Sequence, residues 1–457
     1  MGIKRFSKLI FLLAVAGFLG VLTARQARAV PSFARQTGQA CSTCHTMFPE
    51  LTPFGRTFKL TGYVLNKDGA SHPSAPPVAA MVQLSLTHTR QAQAPGSLPD
   101  NGWSLHALSS ENDVAGTPQA ASLFYGGQIY GHWGALIQGT YSNTDNRSFL
   151  DMSDIRYANS TSFCGKNLIY GFTFNNNPTS EDVWNSTPAW SYPYGFSDVG
   201  PTPVTPVAAP LIFSLSSLVG GAGAYVYWNN WLYVETAVYR TSLDGITAPF
   251  GAGGHPLGAY TDGGIPYWRL ALTHQYGPHS FEIGTYGLAA RVYSSYPSPP
   301  ADNYRDVAFD AQYQYIFGNQ SFSAQTTWVH EDQDLTASVN SGIPSNLTNY
   351  LDTFKINGNY YYRTKHCGQL GGTLSYFSTT GSDDASLYST AASPNGNPNS
   401  HGEILELDYM PPWHDYGPGG LGFAKFTLQY VIFNEFNGSS SGASANNTLY
   451  LLAWFMF

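Results

Sequence analysis

The sequence is poor in charge and, beyond its first thirty residues, has no long apolar run. Charged side chains make up 11% of the 457 residues, whereas an ordinary globular domain has roughly 25%. No stretch after residue 29 approaches the ~18 continuous apolar residues that a membrane-spanning helix needs. The sequence therefore excludes a helical span after residue 29 and disfavours a highly charged soluble domain.

Residues 1–29 have the order of features that defines a secretory signal peptide. Three basic side chains lie within the first eight residues, an apolar run follows over 9–22, and Ala27-Arg28-Ala29 is a small-x-small cleavage signal. Removing this segment leaves 428 residues with 16 basic and 29 acidic side chains, a balance of −13. Such a balance argues against nucleic acid as a partner and is compatible with cationic ligands.

The remainder of the chain is rich in aromatic and uncharged polar residues. The sequence has 31 Tyr and 27 Phe, together with abundant Asn, Ser and Thr. This composition suits a β-barrel wall with one face in lipid and the other lining a polar lumen. A secreted all-β sandwich is the alternative.

Several segments alternate between apolar and polar residues, as the strands of a membrane barrel do. In residues 307–317 the apolar side chains, among them Phe309 and Phe317, share one face, whereas Asp310 and Gln314 share the other. Two later segments also gather polar residues on one face: Lys355, Asn357 and Asn359, and Lys425, Thr427 and Gln429. We therefore expect strands with a polar lumen face and an apolar lipid face.

The connections alternate between tight turns and longer loops. Tight turns are predicted at Gly131-His132, Trp228-Asn229-Asn230, Tyr276-Gly277-Pro278, Phe317-Gly318-Asn319 and His366-Cys367-Gly368. Longer loops are predicted near 91–119, 176–210, 241–265, 331–349 and 380–401. We predict an all-β fold, a 16-stranded antiparallel outer-membrane β-barrel over 78–457. An even number of strands puts both ends of the barrel on the periplasmic side.

Residues Cys41-Ser42-Thr43-Cys44-His45 form C-x-x-C-H, the attachment signature of haem c. Two thiols one helical turn apart can add to the two vinyl groups of one porphyrin, and His45 then reaches the iron as its proximal ligand. Half of a zinc site is disfavoured because no second Cys pair lies nearby, and a plain disulfide because a His follows directly. The motif predicts one covalent haem c and hence electron transfer.

The haem-binding segment, residues 30–77, has fewer than 50 residues and can hardly bury a haem unaided. We therefore expect the barrel lumen to shield the cofactor, with this segment plugging the periplasmic end. Prolines between 73 and 77 predict a short stiff linker into the first strand. The distal iron ligand stays open between Met81, on the predicted lumen face, and His72.

The other two cysteines, Cys164 and Cys367, fall in short turns after the predicted fourth and twelfth strands. Eight strands apart in a ring of sixteen is diametrically opposite, far beyond the ~7 Å between Cα atoms that a disulfide tolerates. We therefore expect two thiols without a catalytic role.

Three stretches resemble the fused cytochrome–porin family that includes the outer-membrane iron oxidases of iron-oxidising bacteria. They are 31–63 around C-S-T-C-H, 151–158 (DMSDIRYA) and 175–190 (NNNPTSEDVWNSTPAW). The resemblance covers the haem-binding segment and the front of the barrel closely, and the rest by architecture only. It implies that extracellular Fe(II) is oxidised at or within the barrel. The electron then passes through the single haem to a periplasmic carrier, a c-type cytochrome or a copper protein.

Other functions stay open at this point. The same conduit can serve a different donor or acceptor, and a diffusion porin can carry the haem segment as a plug or sensor. Since iron prefers carboxylate and imidazole ligands, the candidate iron ligands on or near the outer loops are Glu111, Asp113, Asp145, Glu181, Asp182 and His106. Loop carboxylates are usually solvated, and outer-sphere electron transfer needs no tight iron site.

Overall fold

The computed structural model describes twelve segments of the chain. They are residues 32–65, 77–91, 103–105, 118–142, 147–203, 208–241, 260–295, 298–342, 346–364, 366–388, 395–412 and 423–457. The signal peptide predicted over 1–29 and the candidate ligand His72 lie outside these residues. Within the described segments, no helix has both the length and the apolar character needed to cross a bilayer.

Sixteen antiparallel strands pair in chain order around a closed ring, which confirms the predicted barrel. They are β1 (Val78–Thr89), β2 (Ala120–Tyr130), β3 (Trp133–Ser142), β4 (Arg147–Phe163), β5 (Lys166–Asn175), β6 (Val219–Trp228), β7 (Leu232–Thr241), β8 (Ile265–Tyr276), β9 (His279–Ser295), β10 (Ser298–Phe317), β11 (Gln320–Asp334), β12 (Thr348–Thr364), β13 (Gly368–Gly381), β14 (Ser400–Met410), β15 (Phe423–Glu435) and β16 (Thr448–Met456). The ring closes where β1 pairs with β16, from Met81 opposite Met456 to Thr89 opposite Thr448. A short additional strand, Trp103–Leu105, pairs with the far end of β1.

The tight turns lie at one end of the barrel, the end at which β1 begins and β16 finishes. The turn between β6 and β7 has positive φ at Asn229 and Asn230, the backbone that a two-residue hairpin turn requires. Cys164 and Cys367 are exposed in the turns after β4 and β12, on opposite sides of the ring. Short turns face the periplasm in outer-membrane barrels, so β1 begins and β16 finishes on that side.

The outer surface of the barrel is apolar and its inner surface is polar. On β10, Phe309 and Phe317 are 55% and 61% exposed, whereas Asp310 and Gln314 are 4% and 0% exposed. The same contrast separates exposed Ile356, Tyr360, Phe426 and Leu428 from buried Lys355, Asn359, Lys425 and Gln429. Successive side chains of a strand point to opposite faces, so each strand contributes to both surfaces. An outward apolar band is what membrane barrels present to lipid.

Two segments of the chain fill the lumen. The first is residues 32–65, with helices α1 (Ser32–Thr37), α2 (Cys41–Cys44) and α3 (Pro53–Leu60). We call it the haem segment after the cofactor that its C-x-x-C-H motif predicts. The second is residues 176–203 between β5 and β6, here the inner loop, which is followed by α4 (Leu211–Ser214). In the inner loop, Asp182 pairs with Arg269 of β8, and the Trp184 carbonyl accepts from Gln312 of β10. Two further short helices are α5 (Thr336–Asn340) and the 3-10 helix Ala443–Asn446.

The haem segment packs against the barrel wall through a glycine contact. Helix α3 starts where the Thr52 hydroxyl accepts the Gly55 N–H, with Pro53 in the first turn. The chain then turns at Gly62, whose φ of +74° favours glycine. A Cβ atom at Gly134 on β3 would overlap the Gly62 carbonyl oxygen. Glycine at 134 therefore permits the close approach of the two backbones.

Gly134→Ala is expected to weaken the docking of the haem segment by about 1–3 kcal/mol, because the added methyl group displaces the Gly62 backbone. Protease cleavage within 32–65 should become faster, as measured on folded protein in detergent. Gly139→Ala is the matched control, since a Cβ there lies 4.0 Å from its nearest neighbour, the Phe149 carbonyl oxygen. Equal cleavage rates for the two variants would contradict the contact.

Candidate functional site

The two thiols of the C-x-x-C-H motif lie on one short helix inside the lumen. Cys41 and Cys44 begin and end α2, about one helical turn apart. His45 follows as the C-cap, and its backbone N–H donates to the Cys41 carbonyl oxygen at 2.9 Å. Burial, reinforced by the neighbouring Cys41, raises the pKa of the Cys44 thiol to about 11. The helix thus presents two thiols and an imidazole from adjacent positions.

The imidazole of His45 is held in one orientation by its own loop. The Pro49 carbonyl oxygen lies 3.2 Å from Nδ1, and because a carbonyl can only accept, Nδ1 carries the proton and Nε2 keeps its lone pair. Burial lowers the pKa of His45 to about 4, against the opposing effect of backbone hydrogen bonds. Metal-bound histidines are fixed in this way, with the second ring nitrogen donating to a carbonyl.

Cys41, Cys44 and His45 line a single cavity of about 510 Å³ between the haem segment and the barrel. This size is typical of pockets for cofactors and small ligands. The walls are rich in aromatic side chains: Phe33, Phe48, Phe58, Phe124, Trp190, Phe423 and Trp454. Phe48 links the motif to the barrel, because its ring centroid lies 5.0 Å from that of His45 and 5.1 Å from that of Trp454. The barrel therefore supplies walls that the haem segment lacks.

The cavity becomes polar toward the end of the barrel opposite the short turns. The polar side chains there are Gln83, Gln138, Thr140 and Asp151. The Asp151 carboxylate accepts from Gln138 Nε2 at 3.0 Å and from the Thr140 hydroxyl at 2.8 Å. Asp151 is the fifth residue of β4, which begins at that end. A carboxylate thus lines the outward part of the same cavity.

These residues fit a covalently attached haem c. The thiols have the spacing that two vinyl groups require, and His45 offers a neutral nitrogen with its proton held elsewhere. The aromatic walls supply the shielding that a segment of this size cannot provide alone. The chemistry of the donor set and the enclosure of the cavity are therefore consistent with the motif.

The distal-ligand candidate Met81 lies in the wall of this cavity, 5% exposed. Sequence reasoning missed Met456, which lines the cavity beside it and pairs with Met81 in register. The alternation in the last strand did carry a signal, since Trp454 and Met456 share its buried face. Only the closure of the ring brings this face next to Met81.

Two of the candidate iron ligands, Glu181 and Asp182, lie within the described residues, and both are buried. Glu181 and Asp182 belong to the inner loop, which connects β5 to β6 at the end opposite the short turns but folds into the lumen, and they are 0% and 1% exposed. They fold inward because Asn175 and Arg269, which are buried in the barrel interior, provide their hydrogen-bonding and ionic partners. The remaining candidates, Glu111, Asp113, Asp145 and His106, lie outside the described residues. Among the residues that are described, no three or more His, Cys, Asp or Glu side chains are grouped to hold a metal ion.

Glu50 anchors the haem segment to strands β10 and β11 of the barrel wall. Its carboxylate is fully buried and accepts from Gln314 Nε2 at 3.0 Å and from Gln325 Nε2 at 3.3 Å. The Arg56 guanidinium also donates to Gln314. Burial raises the pKa of Glu50, and its hydrogen bonds and Arg56 act in the opposite direction. The sequence pattern predicted Gln314 on the lumen face but carried no sign of its partner.

No family model matches this chain, and no curated protein matches it. Similar solved structures include OmpT, an outer membrane protein of Vibrio cholerae, with a TM-score of 0.43, 10% identity, and coverage of 83% of this chain and 97% of that chain. The anion-selective porin from Comamonas acidovorans has a TM-score of 0.40, 10% identity, and coverage of 83% and 98%. Salmonella typhi OmpF in complex with daunomycin has a TM-score of 0.40, 12% identity, and coverage of 83% and 97%.

Proposed function

We propose that this chain is an outer-membrane electron carrier of the fused cytochrome–porin type, with one haem c attached to Cys41 and Cys44. It oxidises extracellular Fe(II) and passes the electron to a periplasmic carrier, a c-type cytochrome or a copper protein. One observation carries the proposal: both thiols and the imidazole of His45 line one aromatic-walled cavity enclosed by the barrel. Such an enclosure supplies what a covalent haem on a short segment needs.

Three residues of the chain would hold such a cofactor, two by covalent bonds and one through the iron. Cys41 and Cys44 would each add their S–H across a vinyl double bond, which forms two thioethers without an external oxidant. His45 would supply Nε2 to the iron, since the Pro49 carbonyl holds its Nδ1 proton. When bound, the haem supplies a one-electron carrier. The aromatic walls keep water away, and burial and nearby charge tune the potential.

An acidic side chain in the outward part of the cavity favours a cation as donor. The Asp151 carboxylate lines the outward part of the cavity, and an opposite charge at short range attracts Fe(II). One Fe(II) gives one electron and leaves as Fe(III), and the periplasmic carrier then accepts that electron. Oxidation outside the cell also suits iron chemistry, because Fe(III) hydrolyses and precipitates readily.

Anoxic stopped-flow mixing tests the proposal. Haem-loaded, oxidised protein should become reduced at a rate proportional to the Fe(II) concentration. Asp151→Asn should slow this reduction roughly 3- to 10-fold, the effect of one charge near the reacting centre, and should weaken its dependence on salt. Reduction by dithionite, an anion, is the control and should not slow. If the haem stays oxidised with Fe(II) in excess, iron oxidation is wrong.

A diffusion porin is the second candidate, favoured by the sixteen-stranded ring itself. The haem segment and the inner loop occupy its lumen, and most of the inner-loop side chains before residue 189 are buried. We therefore expect little permeation of small sugars into liposomes that contain the haem-loaded protein. Rapid liposome swelling would support a diffusion porin and contradict an electron carrier whose lumen is closed to solutes.

A further inference from the structure

Two methionines stand side by side in the wall of the cavity that contains Cys41, Cys44 and His45. Met81 of β1 and Met456 of β16 both line it, and they are 5% and 8% exposed. They are direct partners in the strand pair that closes the ring, so their side chains project to the same face of the sheet. Met47, Met152 and Met410 are also described, and none of them lines this cavity.

Among the described residues that line the cavity, the lysine and the two tyrosines are engaged or unsuited as iron ligands. The Lys59 ammonium donates to the Asp182 carbonyl oxygen at 2.8 Å, and the Tyr63 hydroxyl donates to Asp154. The buried Tyr194 hydroxyl keeps its proton, whereas an iron ligand would be the phenolate. Burial and nearby carboxylates hold the pKa of Tyr194 well above its usual range. Thioethers carry no proton at any pH and are established haem ligands.

Phe48 connects the two methionines to the imidazole. Its ring packs on His45 on one side and on Phe423 and Trp454 of the barrel on the other. Met81 and Met456 belong to the same buried cluster as these barrel aromatics. Each methionine side chain has three rotatable bonds, so it adapts its reach to a neighbouring ligand position.

We propose that the Met81–Met456 pair serves the iron position opposite His45, and that either thioether can occupy it. This inference rests on the proposed haem c. It makes the closing seam of the barrel part of the cofactor site, because each methionine comes from one of the two strands that form the seam. Methionine ligation should therefore be complete only in protein whose β1 and β16 are paired.

Absorption and magnetic circular dichroism spectra of the full-length haem protein test the pair, through the near-infrared band that methionine ligation gives to ferric haem. Met81→Leu and Met456→Leu should each keep this band, whereas the double variant should lose it and become high-spin with haem still covalently bound. The haem potential should fall in the double variant, since methionine ligation raises it. Met410→Leu is the matched control, as Met410 is buried in the same cluster but does not line the cavity.

The outcomes separate the two levels of inference. A wild-type protein without covalent haem would overturn the proposed function itself. A haem-loaded double variant that keeps the methionine band would overturn the pair as ligand source. A Met81→Leu or Met456→Leu variant that loses the band alone would overturn the interchange. In each case, folding of the barrel is verified on denaturing gels, where a folded barrel migrates differently before and after the sample is heated.

Discussion

Arg269→Met is expected to destabilise the state in which the inner loop occupies the lumen by about 3–5 kcal/mol, the cost typical of breaking a buried ion pair. The Arg269 side chain is fully buried, and its Nη2 lies 2.7 Å from Asp310, 3.3 Å from Glu282 and 3.5 Å from Asp182. The substitution leaves three buried carboxylates without this common cation. Asp182 belongs to the inner loop, so we expect the loop to leave the lumen and the ion conductance of the barrel to rise.

Conductance of single molecules in planar bilayers measures this effect. The matched control is Arg291→Met, because Arg291 pairs with Asp262 at 2.9 Å with 59% of its side chain exposed. Exposed pairs of this kind contribute about 0–1 kcal/mol, so the control should conduct like wild type. Equal conductance of the two variants would show that the Arg269 cluster does not hold the inner loop.

Replacing Cys41 and Cys44 together by Ser is expected to abolish covalent haem and all Fe(II)-dependent absorbance change. Serine hydroxyls do not form thioethers with vinyl groups, so the attachment chemistry is lost at both positions. The strand ring should still form, because neither residue takes part in any of its strand pairs. Haem staining of denaturing gels and anoxic stopped-flow mixing measure the two losses.

The other two cysteines provide the control for this variant. Cys164 and Cys367 are exposed in short turns, and neither lines the cavity. Their double replacement by Ser should leave haem content and Fe(II) reduction at wild-type levels. Haem loss in this control, or haem retention in the Cys41 and Cys44 variant, would assign the attachment to different thiols.

The barrel was predictable because its signals are local. Alternation with a period of two put Asp310 and Gln314 on one face of β10 and Phe309 on the other, as observed. Gly and Asn at the tight turns fixed where the strands end, since positive φ is costly for most other residues. The number of strands followed from these two patterns together.

The inner loop was not predictable because its partners are distant in sequence. Residues 176–203 have the composition of an outer loop, and no residue near Asp182 in the sequence indicates that its ionic partner is Arg269 of β8. Met456 was missed for a related reason. Its face follows from alternation, but its position beside Met81 depends on how β16 closes the ring.

The central claim is that one haem c is attached to Cys41 and Cys44. The most direct test is mass spectrometry of the peptide that contains residues 41–45. The protein is purified from the membranes of cells that are able to attach haem c. We predict a single species heavier than the unmodified peptide by the mass of one haem, with both thiols consumed. A peptide with the mass of two unmodified thiols, or of a disulfide between Cys41 and Cys44, would contradict the account.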